Sequence, residues 1–141
     1  MSGLAALIDL VARLDGPGVL RWDSDHEVGD VRHAVEVAGG RLAHLDGSRL
    51  DSAPALHAAL AAALRFPDWY GANLDALADC LRDVPEGVVL LWDDWATLAE
   101  AEPRVFEVAL GLLAERVTVL LRGSASPGTP SPGQAQDRAG P

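Results

Sequence analysis

The feature that most constrains the fold is the run Val88-Val89-Leu90-Leu91-Trp92. It is five apolar residues without a break, set between the interruption Pro85 to Gly87 and the carboxylates Asp93 and Asp94. A half-exposed strand would alternate, so an unbroken run of this length suits a strand covered on both faces. It belongs at the centre of a sheet, which therefore needs apolar layers above and below it.

The rest of the chain is organised to supply them. Leu4, Leu7, Ile8, Val11 and Leu14 fall at helical spacing after Ser2 in the N-cap position, and Gly16-Pro17 stops the pattern. Gly18 to Trp22 reads as a short strand. Val28, Val31 and Val35 then predict a helix ended by Gly39-Gly40. Arg41 to Leu45 reads as a strand running into an Asp46-Gly47 turn. Pro54, with Asp51 or Ser52 as cap, opens an alanine-rich helix whose Leu56, Leu60, Ala63 and Leu64 share one face. After the central strand, Ala96 onward reads as a short helix capped by Asp93 or Asp94. Pro103 starts another, packing through Val105, Phe106, Ala109, Leu112 and Leu113, and Val117 to Leu121 is the last strand. From Gly123 the chain is rich in Gly, Pro and Ser, has nothing to bury and is expected to be disordered. Strands separated by helices predict an α/β fold with a small, mostly parallel sheet and right-handed crossovers.

Charge narrows the partners. With 21 acidic against 11 basic side chains the formal net charge is -10, and no Lys is present. Such a balance disfavours nucleic acid and anionic membranes and favours a basic partner. No apolar run is long enough to cross a bilayer, and the N-terminal stretch lacks a basic leader, so a cytoplasmic location is expected. Cys80 is the only cysteine, which rules out an internal disulfide.

Within this frame the segment Phe66 to Leu81, FPDWYGANLDALADCL, is unusual. Asn73 is a good N-cap, Leu74, Leu77, Ala78 and Leu81 form an apolar face, and Asp75, Asp79 and Asp83 line another at spacings of four. Asp75 benefits from the helix dipole, whereas Asp79 lies too deep for it and Asp83 approaches the unfavourable end. Each like-charge pair costs roughly 0.2 to 0.5 kcal/mol. Arg82, three residues beyond Asp79, can recover part of that. A surface built for a cationic partner tolerates such a loss, as does an ordinary solvated face. The preceding loop adds Trp69 and Tyr70, bracketed by Pro67 and Gly71, the kind of aromatic anchors that dominate protein interfaces. The alternative is that one ring plugs the core.

Other constellations are weaker. Asp93 and Asp94 stand at the carboxyl end of the central strand, where open α/β sheets bind ligands, but helix capping accounts for them. A Cys80-His57 nucleophilic pair has no support in spacing, and Cys80 reads as a small buried helix residue. His26, His33, His44 and His57 are too scattered for a metal site, and no phosphate-cradling glycine motif is present. No catalytic residue, metal or cofactor is expected.

The segment YGANLDALADCL resembles the signature of the barstar family, intracellular inhibitors of the ribonuclease barnase. The order of strands and helices from Gly40 to Arg122 is similar too. The resemblance implies a barstar-like domain over 40–122, preceded by an extension over 1–39 with a helix, an extra strand and a helix, and followed by the tail 123–141. It implies a non-enzymatic inhibitor that inserts its loop and second helix into the active-site cleft of a basic, extracellular-type ribonuclease. Asp79 matches the aspartate that replaces a substrate phosphate, Asp75 a second contact carboxylate, and Trp69 a contact tyrosine. Gly71 and Asn73 match positions that shape the loop and helix start. Ala78 and Val84 stand where the family has tryptophans, and either Glu107 or Val108 stands at its interface glutamate. Two further readings are a barstar-fold adaptor for a basic partner that is not a nuclease, and a small hydrolase using Asp79, Asp93 or Asp94.

Overall fold

The computed structural model of the chain describes residues 7–9, 11, 13, 14 and 16–123. Ser2 and Leu4 of the expected first helix, and residues 124–141 of the expected tail, lie outside them. Residues 7–9 and 11 are helical. Then follow β1 (Gly18–Arg21), α1 (Val28–Val37), β2 (Arg41–Asp46), α2 (Ala53–Leu64), α3 (Leu74–Leu81), β3 (Val88–Asp93), α4 (Ala96–Ala101), α5 (Pro103–Ala114) and β4 (Thr118–Arg122). The four strands form one parallel sheet in the order β1-β4-β3-β2. The fold is therefore α/β, with β3 inside the sheet as its apolar run requires.

Alternation along the strands divides the interior into two layers. On one face Ala43, Leu45, Leu90, Trp92, Val119 and Leu121 meet Leu56, Leu60 and Leu64 of α2, Leu77 and Leu81 of α3, Leu98 of α4, and Ala109 and Leu113 of α5. On the other, Leu42, Val89, Leu91 and Leu120 are covered by Leu7, Val11 and by Val31, Ala34 and Val35 of α1. The first forty residues thus add both an edge strand beside β4 and the second helical layer. Their β1 is thinly covered: Val19 and Leu20 remain exposed. Among the described residues no helix is long and apolar enough to cross a membrane.

Local signals set the element ends. The Ser52 hydroxyl, one of the two caps expected, accepts from the Ala55 N–H at 3.3 Å, and α2 stops where Arg65 turns left-handed. Gly39, at φ +93°, ends α1 in a conformation that a side chain would strain. The turn after β2 needs Gly47 for another reason, since a Cβ there would run into the backbone carbonyls of Asp93 and Asp94.

One expected cap is not formed. Neither Asp93 nor Asp94 caps α4, whose N-cap is Trp95 with no side-chain bond. The parallel register instead carries β3 on to Asp93, directly beside Arg122 of β4. Arg122 Nε donates to Asp93 Oδ1 at 2.6 Å and its terminal nitrogen to Oδ2 at 3.0 Å, while His44 Nε2 lies 2.8 Å from Oδ2. A bidentate guanidinium pair is stronger than one cap bond, so it wins the carboxylate. Asp94 follows at φ +52°.

Candidate functional site

Helix α3 sorts its residues as its spacing predicts. Leu77, Cys80 and Leu81 are buried, while Asp75, Asp79 and Asp83 are exposed on another side. Asn73 caps the helix, its Oδ1 accepting from the Ala76 N–H at 2.8 Å, and its Nδ2 also donates to the Gly71 carbonyl at 3.3 Å. The cap points back into the loop and ties Gly71 to the helix start.

At the other end, Arg116 does what sequence reasoning missed. Its Nε donates to the Leu81 carbonyl at 3.0 Å, and its NH2 nitrogen reaches those of Arg82 at 3.1 Å and Val84 at 3.0 Å. A cation seated on the last carbonyls offsets the unfavourable placement of Asp83 near the negative end of the helix. The only signal was an arginine just before the last strand, at no fixed spacing from α3. Arg82 behaves as its spacing suggested and approaches Asp79 Oδ1 at 3.3 Å, both side chains being largely exposed. Any cation brought to that carboxylate must compete with Arg82.

The two loop aromatics part company. Trp69 is 68% exposed. Tyr70 is half-buried, its ring packed on Phe66 at a centroid distance of 4.9 Å and its hydroxyl 2.5 Å from His57 Nδ1. Burial, with Cys80 close by, pushes the Tyr70 phenol up to about 12, and burial holds the His57 imidazole below the usual histidine range. Both rings are uncharged at neutral pH. Ala72 completes the turn into the helix at φ +53°, a conformation strained for any residue with a side chain.

The remaining candidates are placed elsewhere or already committed. Cys80 is 3% exposed, and burial, followed by Asp83 and Asp79, raises its thiol above the ordinary range, so it is not a thiolate nucleophile. His57 meets Tyr70 rather than Cys80. Asp93 and Asp94 line an open cavity of about 420 Å³ with His44, Asp46 and Arg122. Burial is the largest influence on Asp93 and raises it, yet the bonds and charges of His44 and Arg122 together outweigh burial and hold the carboxyl at about 2. A carboxylate so held is not available as a proton carrier near neutral pH. Val84 is buried, and Ala78 offers only a methyl group. On α5, Glu107 is exposed and Val108 half-buried.

Comparison with known proteins identifies the family. The model of the family described as Barstar (barnase inhibitor) matches residues 40–125. A curated Bacillus subtilis (strain 168) protein named "Putative ribonuclease inhibitor YrdF" is 47% identical over 49 residues, which is 33% of this chain and 54% of that protein. The chain thus spans about half the length of that relative. A chain in the solved structure of Drosophila ORC bound to DNA superposes with a TM-score of 0.57 at 18% identity, over 87% of this chain and 36% of that one. This is a likeness of fold alone. The family match spans well over half of the chain and takes in β2 to β4, the aromatic loop and the acidic helix, and on that ground the chain belongs to the barstar family.

Proposed function

We propose that this protein inhibits a basic ribonuclease by placing α3 and the loop before it over the enzyme's active site. The observation that carries the reading is the separation of roles within one short segment. Leu77 and Leu81 anchor α3 in the core, while Asp75, Asp79 and Asp83 face solvent beside the exposed Trp69. Asp79 is the electrostatic anchor and Asp75 supports it. Trp69 packs on the enzyme, as does whatever edge of Tyr70 the loop leaves accessible, and Gly71 and Asn73 shape the surface. The protein works in the cytoplasm and has no catalytic role of its own. Opposite charge steers encounter, so association weakens with added salt.

The test is titration against a panel of small basic ribonucleases, reading RNA cleavage at low and moderate salt, with Asp79→Ala beside the wild type. Stoichiometric, salt-weakened inhibition is expected, and the substitution should weaken it by a hot-spot loss of about 2 kcal/mol or more, roughly thirtyfold. Thermal stability should barely change, since among the described residues the Asp79 side chain forms an ion pair with the exposed Arg82 alone. Equal inhibition by the variant would sink the anchor role. The smaller Ala78 and the buried Val84, which offer no rings, favour a second reading: an adaptor for a basic partner that is not a nuclease. Capture of such a partner without any effect on RNA cleavage would support it.

A further inference from the structure

Among the described residues His57 is the one polar or charged residue that is fully buried, at 3% exposure. It lies on α2 in the row that also holds Leu56, Leu60 and Leu64, where an apolar side chain would fill the space at no desolvation cost. What the imidazole adds is one long-range bond, Nδ1 to the Tyr70 hydroxyl thirteen residues on, with the two rings tilted at a centroid distance of 5.7 Å.

Tyr70 sits in the middle of the loop that precedes α3. On one side of it is the exposed Trp69, and on the other Gly71 and the strained Ala72. The loop's own bonds are few: the Tyr70 N–H reaches the Pro67 carbonyl at 3.0 Å, and Asn73 reaches Gly71. Neither attaches the middle of the loop to the body of the protein, whereas the Tyr70 ring does, packing against the core and reaching His57 within α2. Packing alone can hold the ring but does not fix how deep it sits. A directional bond to a buried acceptor or donor does.

We infer that His57 is a positioning residue for the partner-facing loop, acting through Tyr70 to hold Trp69 and the start of α3 in one arrangement before any partner arrives. A loop held this way loses little conformational freedom on binding, while a loop that samples several arrangements weakens apparent affinity by the fraction of time it is competent. The inference rests on the proposed inhibition for what the loop does, and on the geometry for how the loop is held.

The experiment compares full-length wild type with His57→Leu, His57→Asn, Tyr70→Phe and the double variant His57→Leu/Tyr70→Phe. Tyr70→Phe keeps the ring and so keeps the test open if His57→Leu fails to fold. Two quantities are read under conditions where each variant is folded: amide hydrogen exchange over 69–73 against that over 89–91 in β3, and binding kinetics with a ribonuclease that the wild type inhibits. His57→Leu and Tyr70→Phe are each expected to speed exchange over 69–73 alone and to weaken binding roughly three- to tenfold. The double variant should be no worse than the worse single one. Asn presents an amide where Nδ1 stood, so His57→Asn should restore most of the loss, and the salt dependence of association should stay as in the wild type. Unchanged loop exchange in folded variants, or additive losses in the double variant, would overturn the inference. Should the wild type inhibit no ribonuclease, the exchange measurement still decides whether His57 positions the loop, and only the inhibitor reading falls.

Discussion

Asp93 shows how much one carboxylate can be asked to do. It closes β3, accepts two bonds from Arg122 and meets His44. Arg122 in turn donates to the backbone carbonyls of Ser24 and His26, after β1. Through this pair the first strand's exit is tied to the far end of the sheet. The consequence is a pH dependence of definite sign. The unfolded carboxyl titrates near 3.8 and the folded one near 2. Above 3.8 both states are ionised and the stabilisation is complete. As pH falls below 3.8 the unfolded state takes up its proton first, and the contribution is gone once pH has passed through about 2. Acid titration of the wild type should therefore show a stability loss between roughly pH 4 and 2 that is smaller in Asp93→Asn. Spacing along the chain could not reveal this role, because the partners stand 29 and 49 residues away.

Helix α3 is the element on which the proposed function turns, and at eight residues it is too short to be stable by itself. It is held by three devices: the Asn73 cap, the burial of Leu77 and Leu81, and the Arg116 clamp on its last carbonyls. The first two were legible in the sequence, since a cap and an apolar stripe are matters of local spacing. The third was not, because Arg116 reaches α3 only after α5 has turned the chain back. Arg116→Met keeps much of the side chain's length and removes the donors. It is expected to destabilise the protein by about 1.5 to 3 kcal/mol, read as a lowered denaturant midpoint, with fast amide exchange at the end of α3. A midpoint unchanged from the wild type would show that the carbonyls are as well served by water.

At the scale of the whole molecule, the first forty residues complete the sheet. They place β1 against β4 and cover Leu42, Val89, Leu91 and Leu120, all on strands that the family model includes. Each such side chain is worth about 1.5 to 3 kcal/mol when fully buried, and a domain's net stability is only about 5 to 15 kcal/mol. Removing residues 1–39 should consequently leave a chain that binds hydrophobic dyes and self-associates, measurable by fluorescence and sedimentation. A monomeric, cooperatively folding truncation would show instead that residues 40–122 form an independent domain.

What the sequence determined by itself was set by short-range terms. These are the unbroken apolar run that demanded a central strand, the helical stripes of α1, α2, α3 and α5, the cap at Asn73, and the acidic face of α3. Each follows from spacing of two to four residues, which holds whatever the rest of the chain does. Three matters waited for the tertiary structure: which of two adjacent aromatics turns inward, whether Asp93 caps a helix or binds an arginine, and which edge of the sheet receives β1. In each, alternatives equal in local energy are separated only by burial and by partners distant in sequence. Tyr70 goes in, against Phe66 and His57, and Trp69 is left out.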